Sequence, residues 1–260
     1  SAGVAADALY AAVAEAAVRS GLAGFNPQDL ANTVWAYATA GVAADALYAA
    51  VAEAAVRSGL AGFKPQELAN TVWAYATADC YHQALLAGCS RVISDSLARD
   101  PSIWSEEARR QLHQWQLWLS LERGADAQQH LLSESQRKLC CDAMQGTEVT
   151  ISRLQRSVAA ALAAVQHGFE EEHLEPRTGY SLDLALPSSR VAVEVDGPSH
   201  FLLPDGRGVR KPNGPTLLKR RLLAAAGWRV ISVPFYEWDG LTINEQQAYL
   251  EKAVALPLLV

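Results

Sequence analysis

The chain has 260 residues, of which 50% are hydrophobic and 19% are charged. This composition supports a folded core and excludes a disordered tail or a collagen-like chain. Its net charge of −6 excludes a uniformly basic nucleic-acid-binding protein. Because no apolar run approaches the ~20 residues that span a bilayer, we predict a soluble chain with no membrane partner.

The four cysteines form neither a CxxC pair nor a zinc-ligand pattern with histidine, which predicts reduced thiols rather than a zinc finger or a disulfide framework. They are Cys80, Cys89, Cys140 and Cys141. The sequence begins at Ser1 without a targeting segment. We therefore expect any such segment to have been removed or to lie upstream.

The N-terminal part of the chain is an internal repeat, because residues 3–40 recur as residues 41–78 with a period of 38. Each copy predicts two helices, which in the first copy run over about 5–19 and from Pro27 to about Thr39. Such a helical pair buries its apolar face by stacking on neighbours, usually in arrays of about three repeats or more. We predict an α-solenoid in residues 1–78 and expect the chain to be a piece of a longer array.

The second helix of each repeat carries a distinctive line, PQDLANTVWAYAT at 27–39 and PQELANTVWAYAT at 65–77. This line and the period resemble the octotricopeptide repeat, a family of helical pairs found mostly in algal organelle proteins. The resemblance implies that successive repeats bind a strand of RNA. Amide side chains near the start of these helices are the candidates for reading base edges: Gln28, Asn32, Gln66 and Asn70.

Residues 79–150 keep a helical pattern but lose the repeat, which predicts a degenerate capping and linking region. Ser152 and Gln155 have the spacing of a capping box, which predicts the start of a further helix. We place the domain boundary between about 124 and 150 and assign residues 151–260 to a second domain.

After Gly168 the hydrophobic period becomes alternating, which predicts the order strand, strand, strand, loop, helix, strand, helix. The runs YSLDLALP and RVAVEVDG both place leucine or valine at every second position. If they form a hairpin through residues 187–190, their apolar rows share the core face. The acids Asp183, Glu194 and Asp196 then share the opposite face, with Asp183 across from Glu194.

Three carboxylates on one patch repel one another unless a cation lies between them. One alternative is that Asp183, Glu194 and Asp196 bind Mg²⁺, which would activate water for phosphodiester cleavage. The other is a structural network in which basic side chains of the following helix neutralise the patch. Those side chains are Lys219, Arg220 and Arg221.

The run from Tyr180 through DLALPSSRVAVEVDGPSHF and then GPTLLKRRLLAAAGWRVISVPFYEW resembles the RAP domain. The stretches LHQWQL and SRLQRSV resemble segments that precede this module. The resemblance implies a role in organellar RNA processing, stability or translation, in the chloroplast or alternatively the mitochondrion. It also implies an α+β fold, with an α-solenoid followed by a small restriction-endonuclease-like domain.

The RAP domain is related to the PD-(D/E)XK fold, in which Asp183 matches the first acid and Glu194 the second. The lysine position of that pattern is occupied by Asp196, a departure that puts catalysis in doubt. The EVDGxxH form, with Asp196 and His200, is similar to very-short-patch-repair nucleases, and Lys219 could supply the missing charge. These five residues are the catalytic candidates, although we favour an inactive site used for binding.

A basic segment supplies the candidate phosphate contacts, since seven basic residues and no acidic one lie between residues 207 and 229. The candidates are Arg207, Arg210, Lys211, Lys219, Arg220 and Arg221. The leading hypothesis is an organellar RNA-binding factor that needs no cofactor and whose partners are single-stranded RNA and other RNA-processing proteins. The alternatives are a Mg²⁺-dependent endoribonuclease and a protein-interaction scaffold, the latter favoured by the acidic repeats.

Overall fold

A computed structural model of the chain describes residues 6–146, 151–203 and 210–255. The chain divides into two compact units. The first unit contains Ser1–Met144 and Phe201–Leu218, and the second unit contains Gln145–His200 and Lys219–Val260. The four cysteines are free thiols, as predicted. Among the described residues, every helix is too short or too polar to cross a membrane.

Helical pairs build the first unit, which confirms the two helices predicted for each repeat. The helices in this part of the chain are α1 (Asp7–Arg19), α2 (Pro27–Ala40), α3 (Asp45–Arg57), α4 (Pro65–Thr77), α5 (Gln83–Arg99), α6 (Glu106–Trp118) and α7 (Glu134–Gln145). A π-helical turn, Leu119–Arg123, and a 3-10 segment, Gly124–His130, connect α6 to α7.

The two differences between the repeats both fall on the N-terminal cap of the second helix. In the first copy Asn26 Oδ1 accepts from the backbone N of Asp29, and Asp29 Oδ2 accepts from the backbone N of Asn26, each at 3.0 Å. In the second copy Glu67 Oε2 accepts from the backbone N of Lys64 at 2.8 Å. The helix start is therefore stabilised in both copies by a carboxylate that binds an otherwise unpaired backbone N–H.

Hydrogen bonds from buried tyrosines connect the helices of the repeats. Tyr37 and Tyr75 occupy equivalent positions, and their hydroxyls donate to the backbone O of Tyr10 and Tyr48, each at 2.6 Å. Between the repeats, the Tyr48 hydroxyl donates to the backbone O of Val34 at 3.1 Å. These bonds satisfy polar groups that would otherwise cost folding free energy. The stacked pairs confirm the helical repeats expected from the period.

A third helical pair, α5 and α6, stacks on the second repeat within the region predicted to cap the solenoid. Trp73 on α4 donates its Nε1 hydrogen to Gln114 Oε1 on α6 at 2.7 Å. Gln66 Nε2 donates to Gln111 Oε1 at 2.9 Å. The stack of second helices thus runs from α2 through α4 to α6.

A four-stranded sheet with flanking helices forms the second unit, and the chain is α+β as predicted. Its elements are α8 (Arg153–Val165), β1 (Glu170–Leu174), β2 (Ser181–Leu186), β3 (Val191–Asp196), β4 (Arg229–Pro234), α10 (Phe235–Trp238) and α11 (Ile243–Ala255). Helix α9 (Gly214–Ala225) joins β3 to β4 along the chain. The strand order is β1-β2-β3-β4, with antiparallel β1–β2 and β2–β3 pairs and a parallel β3–β4 pair.

One face of the sheet forms the core of the second unit. Leu184, Val193 and Val195 are buried there with side chains of α8 and α11. The predicted cap of α8 is present, since Ser152 Oγ accepts from the backbone N of Gln155 at 3.0 Å. Burial of this alternating row fixes which residues of β2 and β3 face the other side.

The segment Phe201–Leu218 belongs to the first unit and packs on the repeats. Its described parts on either side of residues 204–209 pair through a hydrogen bond from Leu202 N to Lys211 O at 2.9 Å. Gly214, at the start of α9, lies so close to α2 that a Cβ atom there would be 1.9 Å from the backbone O of Ala38. A glycine is therefore required for this approach.

Candidate nucleic-acid interface

The second face of the sheet carries the predicted acids, which confirms the hairpin and its register. Leu184 pairs with Val193, and one further step along the antiparallel strands aligns Asp183 with Glu194. On the other side of β3, Glu194 pairs with Ser232 of β4. Asp183 and Glu194 therefore stand in one row across the sheet, on the face opposite the apolar core.

Lys219 of α9 neutralises the middle of this row. Its Nζ donates to Glu194 Oε2 at 2.5 Å and to the backbone O of Ser181 at 2.9 Å. The ammonium group also lies 5.7 Å from the centre of the Tyr180 ring, within range of a cation–π contact. Glu194 is 3% exposed, so this carboxylate depends on Lys219 for its counter-charge.

Asp196 has both carboxylate oxygens engaged. Its Oδ1 lies 2.7 Å from His200 Nδ1, while its Oδ2 accepts from Arg220 Nη2 and from Ser232 Oγ, each at 2.5 Å. Asp196 is 1% exposed, whereas the side chain of His200 is 39% exposed. The buried carboxylate thus orients the His200 ring, as carboxylates orient histidines in many sites.

Burial and pairing shift the pKa values of the acids in different directions. Burial raises the pKa of Asp183, although Lys219 opposes the change. Burial also raises the pKa of Glu194, to about 7, against the lowering effect of Lys219. For Asp196, burial acts upward, but hydrogen bonds from His200 and Ser232 leave the pKa below its usual value. For both Asp183 and Glu194, therefore, the effect of burial outweighs the opposing charge of Lys219.

The pKa of Lys219 is raised. Burial alone would lower it, but the charges of Glu194 and Asp183 overcome that effect and favour the protonated amine. Lys219 is therefore a cation throughout the neutral range. Lys219 and Arg220 therefore neutralise carboxylates of the sheet. This arrangement is the structural network that the sequence offered as the alternative to a Mg²⁺ site.

Sequence reasoning missed Glu172, a fourth acid beside this row. The β1–β2 register, in which Glu171 pairs with Leu184, places Glu172 opposite Asp183. Glu172 has a left-handed φ of 51°, and its Oε2 accepts from Ser181 Oγ at 2.7 Å. Its Oε1 accepts from Gln155 Nε2 at 2.5 Å. The acidic run at the start of β1 was visible in the sequence. The alternation of apolar residues alone, however, does not give the register between β1 and β2.

The donor set of this face fits an ion-pair network better than Mg²⁺. Both oxygens of Asp196 are engaged by hydrogen-bond donors, and Asp183 Oδ2 accepts from the backbone N of Val195 at 2.6 Å. Glu194 Oε1 is buried and has no hydrogen-bond partner among the described residues. In the same part of the chain, no three His, Cys, Asp or Glu side chains are grouped to hold a metal ion. Metal-dependent cleavage by Asp183, Glu194, Asp196, His200 and Lys219 remains a prediction.

The predicted phosphate contacts lie in different environments. Arg207 is outside the described residues. In the first unit Arg210 is exposed, and Lys211 Nζ donates to Asp7 Oδ2 at 2.9 Å. In the second unit Arg220 is engaged with Asp196, and Arg221 is half-buried. Within the second unit, Lys219 and Arg220 thus pair with acids of the same strand, Glu194 and Asp196.

The predicted base-reading amides of the two repeats also differ. Gln28 and Asn32 in the first repeat are exposed. In the second repeat, Gln66 Nε2 donates to Asn70 Oδ1 at 2.9 Å, and Gln66 Oε1 accepts from Ser105 Oγ at 3.0 Å. The amide of Gln66 is thus hydrogen-bonded to neighbouring polar side chains, whereas Gln28 and Asn32 are exposed to solvent.

Comparison with known proteins gives two family matches. Residues 193–253 match the RAP domain, and residues 2–87 match the family described as Tbc2 translation factor, N-terminal domain. The chain is also 37% identical over 102 residues to a chloroplastic RAP domain-containing protein of Oryza sativa subsp. japonica. That alignment covers 39% of this chain and 15% of the rice protein.

These matches bear on the expectations from the sequence. The RAP resemblance is confirmed, and the rice relative that shares it is named as a chloroplastic protein. Neither family description mentions octotricopeptide repeats, so the similarity of the N-terminal repeats to that family stays a resemblance. The similarity of the RAP domain to the PD-(D/E)XK fold likewise stays a prediction. The chain therefore carries a RAP domain over residues 193–253.

Proposed function

We propose that the chain is an RNA-binding factor of chloroplast RNA metabolism, acting in the processing, stability or translation of a transcript. The solenoid selects single-stranded RNA, and the RAP domain contacts or processes it. The observation that carries this proposal is the RAP match over residues 193–253, which covers most of the neutralised acidic face. The match of residues 2–87 to a translation-factor domain favours translation among the three roles.

The solenoid contribution rests on the exposed amides of the first repeat. Gln28 and Asn32 lie one helical turn apart on α2, with both side chains exposed. Amide groups can donate to and accept from the edge of an unpaired base, which is how proteins read single-stranded RNA. In the second repeat the equivalent Gln66 is hydrogen-bonded to Asn70 and Ser105, so this contribution rests on the first repeat.

Binding is favoured over cleavage because the acidic face is already neutralised. Lys219 and Arg220 satisfy Glu194 and Asp196, and a carboxylate so engaged would have to exchange its partner to bind a metal. No cofactor is needed for binding. Other RNA-processing proteins remain proposed partners of the full-length protein.

The proposal is tested with a pool of random-sequence single-stranded RNA. We expect binding that weakens steeply as salt rises, with a log–log slope of about −0.7 for each phosphate contacted. Arg210→Gln with Lys211→Gln should weaken binding, whereas Arg153→Gln with Arg156→Gln, on exposed positions of α8, is the charge-matched control. Failure of the wild-type chain to retain RNA at low salt would overturn the proposal and favour the protein-interaction scaffold.

The endoribonuclease alternative has its own assay, in which the same RNA is incubated with the chain and Mg²⁺. We expect the RNA to stay intact while it remains bound. Mg²⁺-dependent cleavage that disappears in Asp196→Ala, with RNA binding retained, would establish the alternative instead.

A further inference from the structure

The first repeat carries an apolar groove of about 650 Å³, here called the first-repeat groove. Its lining includes Leu9, Tyr10 and Val13 of α1 and Ala36 and Tyr37 of α2. Leu9 is 64% exposed and Val13 is 46% exposed. Large apolar side chains that are exposed together mark a surface that binds a partner. The first-repeat groove is therefore a candidate docking surface.

The second repeat shows what covers the same residues. Their equivalents there are all buried: Leu47, Tyr48, Val51, Ala74 and Tyr75. The first repeat packs on the second, with α1 on α3 and α2 on both α3 and α4. Because the two copies have the same residues at these positions, the difference in exposure comes from the neighbouring repeat. Of the two copies in the described chain, only the second has such a neighbour on this side.

The first-repeat groove already has the conformation of its covered equivalent. The Tyr37 hydroxyl donates to the backbone O of Tyr10 at 2.6 Å, and the Tyr75 hydroxyl donates to the backbone O of Tyr48 at the same distance. Both pairs of rings pack edge to face, with 4.9 and 5.1 Å between ring centres. A surface that is already in its bound conformation loses less conformational entropy when it binds. The groove is thus preorganised for an occupant of the kind that covers the second repeat.

The groove also offers a hydrogen-bond donor. In the second repeat the Tyr48 hydroxyl donates to the backbone O of Val34 on the covering helix, α2, at 3.1 Å. The hydroxyl of Tyr10, the equivalent residue, has no acceptor among the described residues. A helical carbonyl has a second lone pair that can accept such a bond, and on α2 the small residues Ala31 and Ala38 lie one turn to either side of Val34. The occupant therefore needs a helix with small residues around an accepting carbonyl.

We propose that the first-repeat groove binds a further helical pair of the same 38-residue type, which belongs to the same polypeptide. Its second helix takes the place that α2 takes over the second repeat, and a backbone O of that helix accepts from the Tyr10 hydroxyl. Burial of Leu9 and Val13 drives the docking, and the hydrogen bond fixes its register. Asn32 also lines the groove, but its equivalent Asn70 is half-buried, so docking leaves part of the Asn32 amide accessible. The inference therefore neither requires nor prevents RNA binding.

A second copy of this chain is the competing occupant. A head-to-tail contact would need a free surface like the one that covers α3 and α4. That surface, which includes Ala31 and Val34, is buried, and its equivalents Ala69 and Val72 in the second repeat are buried as well. A face-to-face contact of two grooves would bring together two Tyr10 donors rather than a donor and an acceptor. A repeat joined at the period of 38 meets neither difficulty, because the connection between α2 and α3 already links two stacked repeats.

The first test inserts one more copy of residues 3–40 between Ala2 and Gly3 and compares this extended chain with the unaltered one. Both chains carry Val13→Cys, placed in the copy that adjoins residue 41, and its reaction with a maleimide is followed by peptide mass spectrometry. We expect this thiol to react about 10-fold more slowly, or slower still, in the extended chain, because the added pair covers the groove. Val56→Cys, at an exposed position outside the groove, is the control and should react equally in both chains. Equal rates for Val13→Cys would overturn the inference.

The second test removes the donor. In the extended chain, Tyr10→Phe in the same copy should speed the labelling of Val13→Cys about 2- to 10-fold, the effect of losing one hydrogen bond. In the unaltered chain the same change should leave the labelling rate as it is, because no described residue accepts from the Tyr10 hydroxyl. An unchanged rate in the extended chain would overturn the inference.

Sedimentation of the unaltered chain tests the competing occupant. We expect a monomer, because the surface that would complement the groove is buried in every copy of the chain. A dimer that Leu9→Asp dissociates, while Val56→Asp leaves it intact, would overturn the inference in favour of a second copy.

Discussion

Lys219 and Glu194 form an ion pair across the polar face of the sheet, with Nζ 2.5 Å from Oε2. The carboxylate is 3% exposed, and the side chain of Lys219 is 24% exposed. Burying an ion pair of this kind costs desolvation free energy. The pair nevertheless stabilises the fold relative to a state in which either charge is buried without its partner. Two predictions test this relationship.

The first prediction concerns pH. Burial raises the pKa of Glu194 from 4.5 to about 7 in the folded chain, so the folded state holds a proton that the unfolded state releases. This contribution to stability is fully present below about pH 4.5 and is lost as pH rises through 7. We expect Glu194→Gln to show a smaller fall in unfolding free energy between pH 5 and 8 than the wild type, measured by urea denaturation. Glu53→Gln, at an exposed position, is the control and should follow the wild type.

The second prediction concerns Lys219→Met, which leaves Glu194 buried without its counter-charge. We expect this change to cost about 3–5 kcal/mol of unfolding free energy at pH 8. The cost should shrink at pH 5, because Glu194 can then take up a proton. Lys138→Met, which removes a lysine that is 74% exposed and paired with Asp142, should be nearly neutral at both pH values. Equal losses at pH 5 and 8 would contradict this account.

The third prediction concerns the close approach of Gly214 to α2. A methyl group at this position would lie 1.9 Å from Ala38 O and 2.8 Å from Ala38 C, so the backbone would have to move. We expect Gly214→Ala to destabilise the first unit by ~1–3 kcal/mol in urea or thermal unfolding. Gly197→Ala is the control, because a Cβ there meets nothing within 4 Å. Similar stabilities of the two variants would show that the contact is not tight.

The fourth prediction uses the identity of the repeats. Leu9 and Leu47 are equivalent residues in equivalent helices, but Leu9 is 64% exposed and Leu47 is fully buried. We expect Leu47→Ala to cost about 2–5 kcal/mol and Leu9→Ala to change stability by about 0.5 kcal/mol or less. Equilibrium unfolding of both variants checks this. Equal costs would mean that the repeats do not stack as described.

The hairpin of β2 and β3 could be predicted because the two strands are adjacent in sequence and apolar residues occupy every second position in each of them. Once the leucine and valine rows face the core, the positions of Asp183 and Glu194 follow from parity alone. The place of Glu172 could not be predicted in this way. Its position depends on the register between β1 and β2, which a six-residue connection and a left-handed residue within β1 leave open.

Contacts between residues far apart in sequence account for the other structural features that the sequence did not predict. The period of 38 residues predicted two helical pairs, but α5 and α6 have lost the sequence of the repeat while keeping its packing. The packing of Gly214 on Ala38 joins residues far apart in sequence, and no local pattern marks it. Lys219 was among the candidate neutralising residues, but only the structure assigns its carboxylate partner.

The bond from the Tyr48 hydroxyl to the backbone O of Val34 links the second repeat to the first. Because the acceptor is a main-chain atom, the junction requires a particular side chain on one side only. The bond itself places no demand on the side chain of Val34, which is constrained only by its burial in the core. Tyr10 is the counterpart of Tyr48 in the first copy, so each 38-residue block carries its own donor. Gain of one block would therefore recreate the same junction without any compensating substitution.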